Sequence, residues 1–151
     1  MKIVAAEEKD FQSVRDITQN TIAEIYPKYY PEGAVRFFAN HHSDEHIRED
    51  IKSGIVFLLL DGDDAVGTVT ISGQEMKRLF VLPERQHRGY GRALLDFAEA
   101  KIHEHYDSIL LDASLPAKEL YLKRGYAEVE YHQILTDRGD YLCYDVMQKK
   151  R

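Results

Sequence analysis

Six consecutive residues, Gln86-His87-Arg88-Gly89-Tyr90-Gly91, carry the clearest chemical signature in the chain. They follow an apolar, strand-like run from Leu79 to Pro83 and lead into a helix-like run from Arg92 to Ala98. Two glycines at such a junction let the backbone turn tightly and leave several N–H groups aimed at one point. Those groups, with the positive end of the helix dipole, form an anion site suited to phosphate. Arg88 and Arg92 add positive charge beside it. A Rossmann fingerprint needs a small residue where this chain has Leu94. A Walker A loop needs Gly-Lys-Ser/Thr, a triplet absent here. The bland alternative is a glycine-rich helix start that holds no ligand.

Histidine and cysteine offer weaker chemistry. His42 and His46 stand four apart, but Ser43 breaks the helix between them. His103 and His105 stand two apart and so fall on different helix faces. No Cys–His cluster has metal-site spacing, and no metal is expected. Cys143, the only cysteine, falls in a strand and reads as a packing residue rather than a nucleophile.

The 151 residues carry 20 Lys and Arg against 26 Asp and Glu, a formal net charge of −6. That balance argues against a nucleic-acid partner. Basic residues still cluster at Lys77-Arg78, Arg85 to Arg88 and Lys123-Arg124, a local funnel for an anionic ligand. The longest apolar run, Ile55 to Leu60, falls far short of a membrane span, so no membrane partner is expected. The first residues lack a signal-type apolar region, and one cysteine excludes an internal disulfide. Both fit a cytoplasmic protein. The length suits one domain over 1–151. Lys149-Lys150-Arg151 reads as a frayed, solvated tail.

Periodicity places the elements that must hold the loop. Lys2 to Ala6 reads as a strand, with Asp10 as cap to an amphipathic helix whose apolar stripe includes Val14, Ile17 and Ile22. Pro27 and Pro31 break that helix. Short helices follow at Glu32 to Asn40 and after Ser43. Three strands come next: Ile55 to Leu60, Ala65 to Ile71 and Glu75 to Leu82. In the third, alternation puts Met76, Arg78, Phe80 and Leu82 on one face. Gly89 to Tyr106 is the long helix, with Leu94, Leu95, Ala98, Ile102 and Tyr106 inward. Ser108 to Asp112 is a strand, Ala117 to Arg124 a helix stopped by Gly125, and Tyr126 to Leu135 and Tyr141 to Gln148 the last strands. The order β-α-α(α)-β-β-β-α-β-α-β-β describes an α/β chain, with a mixed sheet covered by helices on both faces.

That order, with Gln-x-x-Gly-x-Gly between its fourth strand and the long helix, resembles the GNAT superfamily of acetyl-CoA-dependent N-acetyltransferases over nearly the whole chain. The resemblance implies that Gln86, His87, Arg88, Gly89, Tyr90, Gly91 and Arg92 hold the coenzyme pyrophosphate. It implies that the backbone of Leu79, Phe80 and Val81 pairs with the pantetheine amides, and that a bulge near Phe80 polarises the thioester carbonyl. Tyr121, four residues before Gly125, matches the family tyrosine that protonates the departing thiolate; a phenol stays protonated at neutral pH. Glu75 matches a glutamate that serves as general base directly or through water, with a solvent-facing strand end as its alternative. Ser114 stands near the slot of an asparagine that bonds pantetheine, and can equally cap the following helix. The segment from Tyr26 to His42, with Tyr29, Tyr30, Phe37, Phe38 and His41, falls where similar proteins line the acceptor pocket. A local hydrophobic cluster is the other reading, favoured for Phe37 and Phe38.

The expected function is transfer of an acetyl group from acetyl-CoA to a primary amine of a small molecule. Two rivals stay open: a non-enzymatic acyl-CoA-binding sensor of the same fold, and a transferase acting on protein or peptide amines. Members of the superfamily often pair through their C-terminal strands, which leaves a homodimer open as well.

Overall fold

In the computed structural model, which describes residues 1–151, seven strands form one sheet. They are β1 (Lys2–Ala5), β2 (Val56–Asp61), β3 (Asp64–Ser72), β4 (Glu75–Val81), β5 (Ser108–Ala113), β6 (Ala127–Leu135) and β7 (Tyr141–Lys150). The helices are α1 (Phe11–Ile25), α2 (Glu32–His41), α3 (Asp44–Lys52), α4 (Tyr90–His103) and α5 (Leu115–Lys123). The spatial order is β1-β2-β3-β4-β5-β7-β6. Only β4 and β5 are parallel, because α4 carries the chain back between them.

Two cores flank the sheet. Val14, Ile17 and Ile22 of α1 pack with Ala34, Ile47 and Ile51 on one face. Leu94, Leu95, Ala98 and Ile102 of α4 pack on the other. β2 serves both, sending Val56 and Leu58 one way and Phe57 and Leu59 the other. Burial on two faces is why this strand reads as an unbroken apolar run. Full burial of each such apolar side chain contributes about 1.5–3 kcal/mol.

Three local expectations change. Asp10 makes no capping bond to α1. Its carboxylate instead accepts the Glu7 N–H at 2.9 Å, closing the short turn before the helix. Tyr106 lies beyond the end of α4 and is exposed rather than part of the buried stripe. The C-terminal lysines are not a frayed tail: β7 runs to Lys150, paired with β5 from Ala113–Asp145 to Ser108–Lys150. Lys149 also reaches Glu99, a buried α4 carboxylate that accepts from Arg124 Nε at 2.7 Å and Tyr126 Oη at 2.9 Å. Burial alone would raise the Glu99 pKa, but these hydrogen bonds outweigh it and hold the group below its ordinary value.

Two irregularities of β4 shape everything nearby. First, β4 and β5 share one register pair, Glu75 with Leu110, supported by Leu110 N–H to Gln74 O at 3.0 Å. Past that point the two strands are not paired, so the sheet is split. Second, β4 bulges. Phe80 faces Thr68 and Lys77 faces Thr70, so Arg78 and Leu79 together oppose Val69. Arg78 takes the left-handed conformation, φ 52°. The extra residue inverts the alternation. Met76 packs in the α4-side core and Phe80 in the α1-side core, so they do not share a face as strict alternation predicts.

Candidate active site

The glycine loop follows β4 after Leu82 and a short 3-10 turn, Pro83–Arg85. Gly89 precedes α4 with φ 89°, ψ 2°, and no side chain caps the helix. His87 is left-handed too, φ 64°. This run of turns leaves the N–H groups from His87 to Arg92 without a protein acceptor, at the positive end of a 14-residue helix. His87, Arg88, Gly89 and Arg92 are exposed around them. Gln86 and Tyr90 have other work. Gln86 Nε2 donates to Val81 O at 3.1 Å, and the Tyr90 hydroxyl donates to Asp61. With Arg85 Nη2 on Asp64 at 2.9 Å, they pin the loop to β4 and to the β2–β3 turn. The Val81 carbonyl is thereby occupied, which narrows the strand edge expected for ligand pairing.

A cavity of about 220 Å³ lies beside the split between β4 and β5. Glu75, Lys77, Leu79 and Phe80 line it from β4, Asp112 from β5, and Ser114, Ala117 and Tyr121 from α5 and its start. Tyr26, Phe37, Phe38, His41 and His42 wall the opposite side. The aromatic segment thus divides. Tyr26 and Phe38 meet edge to face at 4.8 Å within the wall, so Phe38 both packs and lines. Tyr29 is exposed, and Tyr30 is structural: its hydroxyl donates to Cys143 O at 3.1 Å and accepts the Leu115 N–H at 2.7 Å. Ser114 makes no capping bond to α5 and stands beside Tyr26, whose phenol burial pushes to about 12, partly eased by Ser114.

Charge in the cavity is uneven. Burial raises the Glu75 carboxyl above its ordinary range, and nearby Asp112 raises it further. Burial also raises Asp112. Glu75 is therefore half-buried in the cavity wall rather than solvent-facing. Tyr121 is buried, with no hydrogen-bond partner in the protein, and burial keeps its phenol firmly protonated. Several lining residues escaped sequence reasoning. Asp112 was legible only as a strand end. Ile134, Leu142 and Tyr144 arrive because β7 inserts beside β5 out of chain order.

A family model described as an acetyltransferase (GNAT) domain matches residues 25–137. The chain belongs to the GNAT acetyltransferase family. An uncharacterized N-acetyltransferase in the pepI 3′ region of Lactobacillus delbrueckii subsp. lactis is 30% identical over 99% of this chain and 96% of that protein. A GCN5-related N-acetyltransferase of Rhodopseudomonas palustris superposes with a TM-score of 0.90 at 20% identity, over 99% of this chain and 95% of its own. The PaiA N-acetyltransferase of Thermoplasma acidophilum, solved with coenzyme A, gives 0.74 at 18% identity over 99% and 98%. The GNAT fold expected from the element order is therefore the fold observed.

Proposed function

We propose that this GNAT acetyltransferase moves an acetyl group from acetyl-CoA to the primary amine of a small molecule by direct attack. The observation that carries the reading is that Glu75 and Tyr121 line one cavity, at the split end of β4 and β5. The loop residues present fit the cosubstrate. The unpartnered N–H groups of His87 to Arg92 suit a pyrophosphate, and Arg88 and Arg92 neutralise it. The thioester end would lie along Leu79, Phe80 and Ser114, with the bulged backbone of β4 facing its carbonyl.

The chemistry divides between two groups. An amine arrives as an ammonium, drawn by Glu75 and Asp112, and must lose a proton to attack. Glu75, raised by burial, accepts that proton directly or through water. The new C–N bond forms at the thioester carbon and the C–S bond breaks. The Tyr121 hydroxyl gives its proton to the leaving thiolate, and the second proton shed by the new amide nitrogen returns through solvent to the Tyr121 oxygen. The cavity volume and its aromatic wall favour a compact amine over an extended peptide.

The test is release of free coenzyme-A thiol from acetyl-CoA against amines, amino acids, polyamines, aminoglycosides and peptides, with calorimetric binding of acetyl-CoA on the same sample. Thiol release that depends on a small amine is expected. Tight binding with no release for any amine would instead support a non-enzymatic sensor, and release for peptides alone a protein transferase.

A further inference from the structure

His42 sits where α2 ends, and its surroundings fix both its position and its proton. Its N–H donates to Phe38 O at 3.1 Å and its carbonyl accepts from Gln19 Nε2 at 2.8 Å. The ring stands edge-on to Phe80, 5.9 Å between centroids, and lines the cavity. Its Nδ1 lies 3.3 Å from Arg78 Nε. A guanidinium can only donate. Nδ1 must therefore be bare, and the proton of the neutral ring must sit on Nε2. Arg78 cannot swing away. It is buried in the bulge, with Nη1 3.0 Å from Asp50 Oδ2 and 3.2 Å from Thr70 Oγ1. Nε2 has no partner in the protein and is not sealed from solvent, in a ring that lines the cavity.

Burial pushes the His42 pKa down to about 3, and the positive charge of Arg78 and Lys77 on β4 and the neighbours His41 on α2 and His46 on α3 add to it. Asp50, on α3, faces Arg78 and is held by it. The ring thus stays neutral at working pH, and its one lone pair is taken. It cannot be the general base. What it offers is a fixed N–H.

We propose that His42 is the specificity-determining donor of the acceptor pocket, locked as the Nε2–H tautomer by Arg78 and Asp50, and that it selects amines carrying a carbonyl or hydroxyl oxygen near the nitrogen. This rests on the acetyltransferase reading for its substrate, but not for its tautomer. A site built to hydrogen-bond an oxygen rejects an analogue lacking it, because the buried donor is then left unpaired. Arg78 and Asp50 are positioning residues that act through the ring.

Ring-nitrogen NMR of the ¹⁵N-labelled protein tests the lock first. The expected spectrum shows His42 with a protonated Nε2 and bare Nδ1, unchanged between about pH 8 and about pH 5. Asp50→Asn, which keeps the side-chain shape, is expected to loosen the lock and let both tautomers appear. The second arm compares phenylalaninamide with 2-phenylethylamine, which lacks the carboxamide oxygen. Wild type is expected to prefer the amide by at least about tenfold in kcat/KM. His42→Phe erases the preference and His42→Gln, which keeps an N–H, restores part of it. A protonated Nδ1, a ring that titrates in that range, or equal losses on both amines overturns the proposal. If neither amine is acetylated, the substrate reading fails separately. The His42 Nε2 resonance then decides: a shift with phenylalaninamide and none with 2-phenylethylamine supports the donor, and no shift with either overturns it.

Discussion

Gly89→Ala separates ligand recognition from folding, because a matched control exists in the same chain. Gly89 has φ 89° and Gly139, in the β6–β7 turn, has φ 82°. A Cβ built at either position meets no protein atom within 4 Å. Neither substitution adds a clash, so each costs only the left-handed strain of about 1–2 kcal/mol. In a chain of this length 1 kcal/mol moves Tm by about 2–4 °C, so both variants should melt about 2–8 °C lower. They should differ in one respect. At Gly89 the Cβ stands beside the free N–H groups of His87 to Arg92, which the proposed function assigns to the coenzyme phosphate. Coenzyme-A affinity of Gly89→Ala should fall at least tenfold, about 1.4 kcal/mol, and that of Gly139→Ala should not change. Scanning calorimetry reads the strain and isothermal titration reads the affinity. Equal affinity in wild type and both variants would refute the anion-site reasoning, whatever the melting temperatures.

Tyr121→Phe should lower turnover about 10²-fold at the chemical step, with coenzyme-A affinity and Tm little changed; wild-type turnover with chemistry rate-limiting would return Tyr121 to a packing role. Glu75→Gln should lower turnover roughly 10²-fold and remove the rise in rate as pH climbs through the elevated Glu75 pKa. A carboxyl whose folded pKa is raised contributes stability at low pH that is lost as pH rises through that value, so the same variant should hold or slightly gain stability near neutral pH. A clear loss there would contradict the burial argument. Glu99 runs the other way. Its depressed pKa contributes stability present above the ordinary carboxylate value of about 4.3 and lost as pH falls through the folded value. Glu99→Gln should cost about 1–3 kcal/mol near neutral pH in denaturant unfolding and flatten the acid limb; an unchanged acid limb would remove Glu99 from the account.

Helices and strands were legible because each has its own period and its own stop signal. Ser43, for instance, ends one helix region and caps α3 by accepting the His46 N–H at 3.2 Å. The loop from Gln86 to Gly91 was legible because glycine spacing encodes backbone geometry directly. A bulge near Phe80 was expected only from family likeness, and its place at Arg78 and Leu79 was not legible. A charged residue inside an alternating strand looks like surface, and nothing in the local pattern says that Asp50 and Thr70 bury it. The far wall of the cavity was not legible either. Ile134, Leu142 and Tyr144 reach the site through strand order, which depends on which edge of β5 is free when β7 arrives.

The single register pair between β4 and β5 also sets how the molecule comes apart. A ladder transmits cooperativity through its hydrogen bonds, and here that transmission is interrupted at mid-sheet. β1 to β4 form one continuous ladder and β5, β7 and β6 another. Across the seam they are joined by the apolar stripe of α4, by Leu142 in the α1-side core, by Tyr30, which reaches β7 and the start of α5, and by Gly33 N–H on the Asp140 carboxylate at 2.9 Å. Partial opening along this seam breaks few backbone bonds, so it is expected to cost less than global unfolding. Amide exchange in β5 and β7 can then proceed by a subglobal route closed to β2 and β3, and anything that bridges the seam would merge the two cooperative units into one.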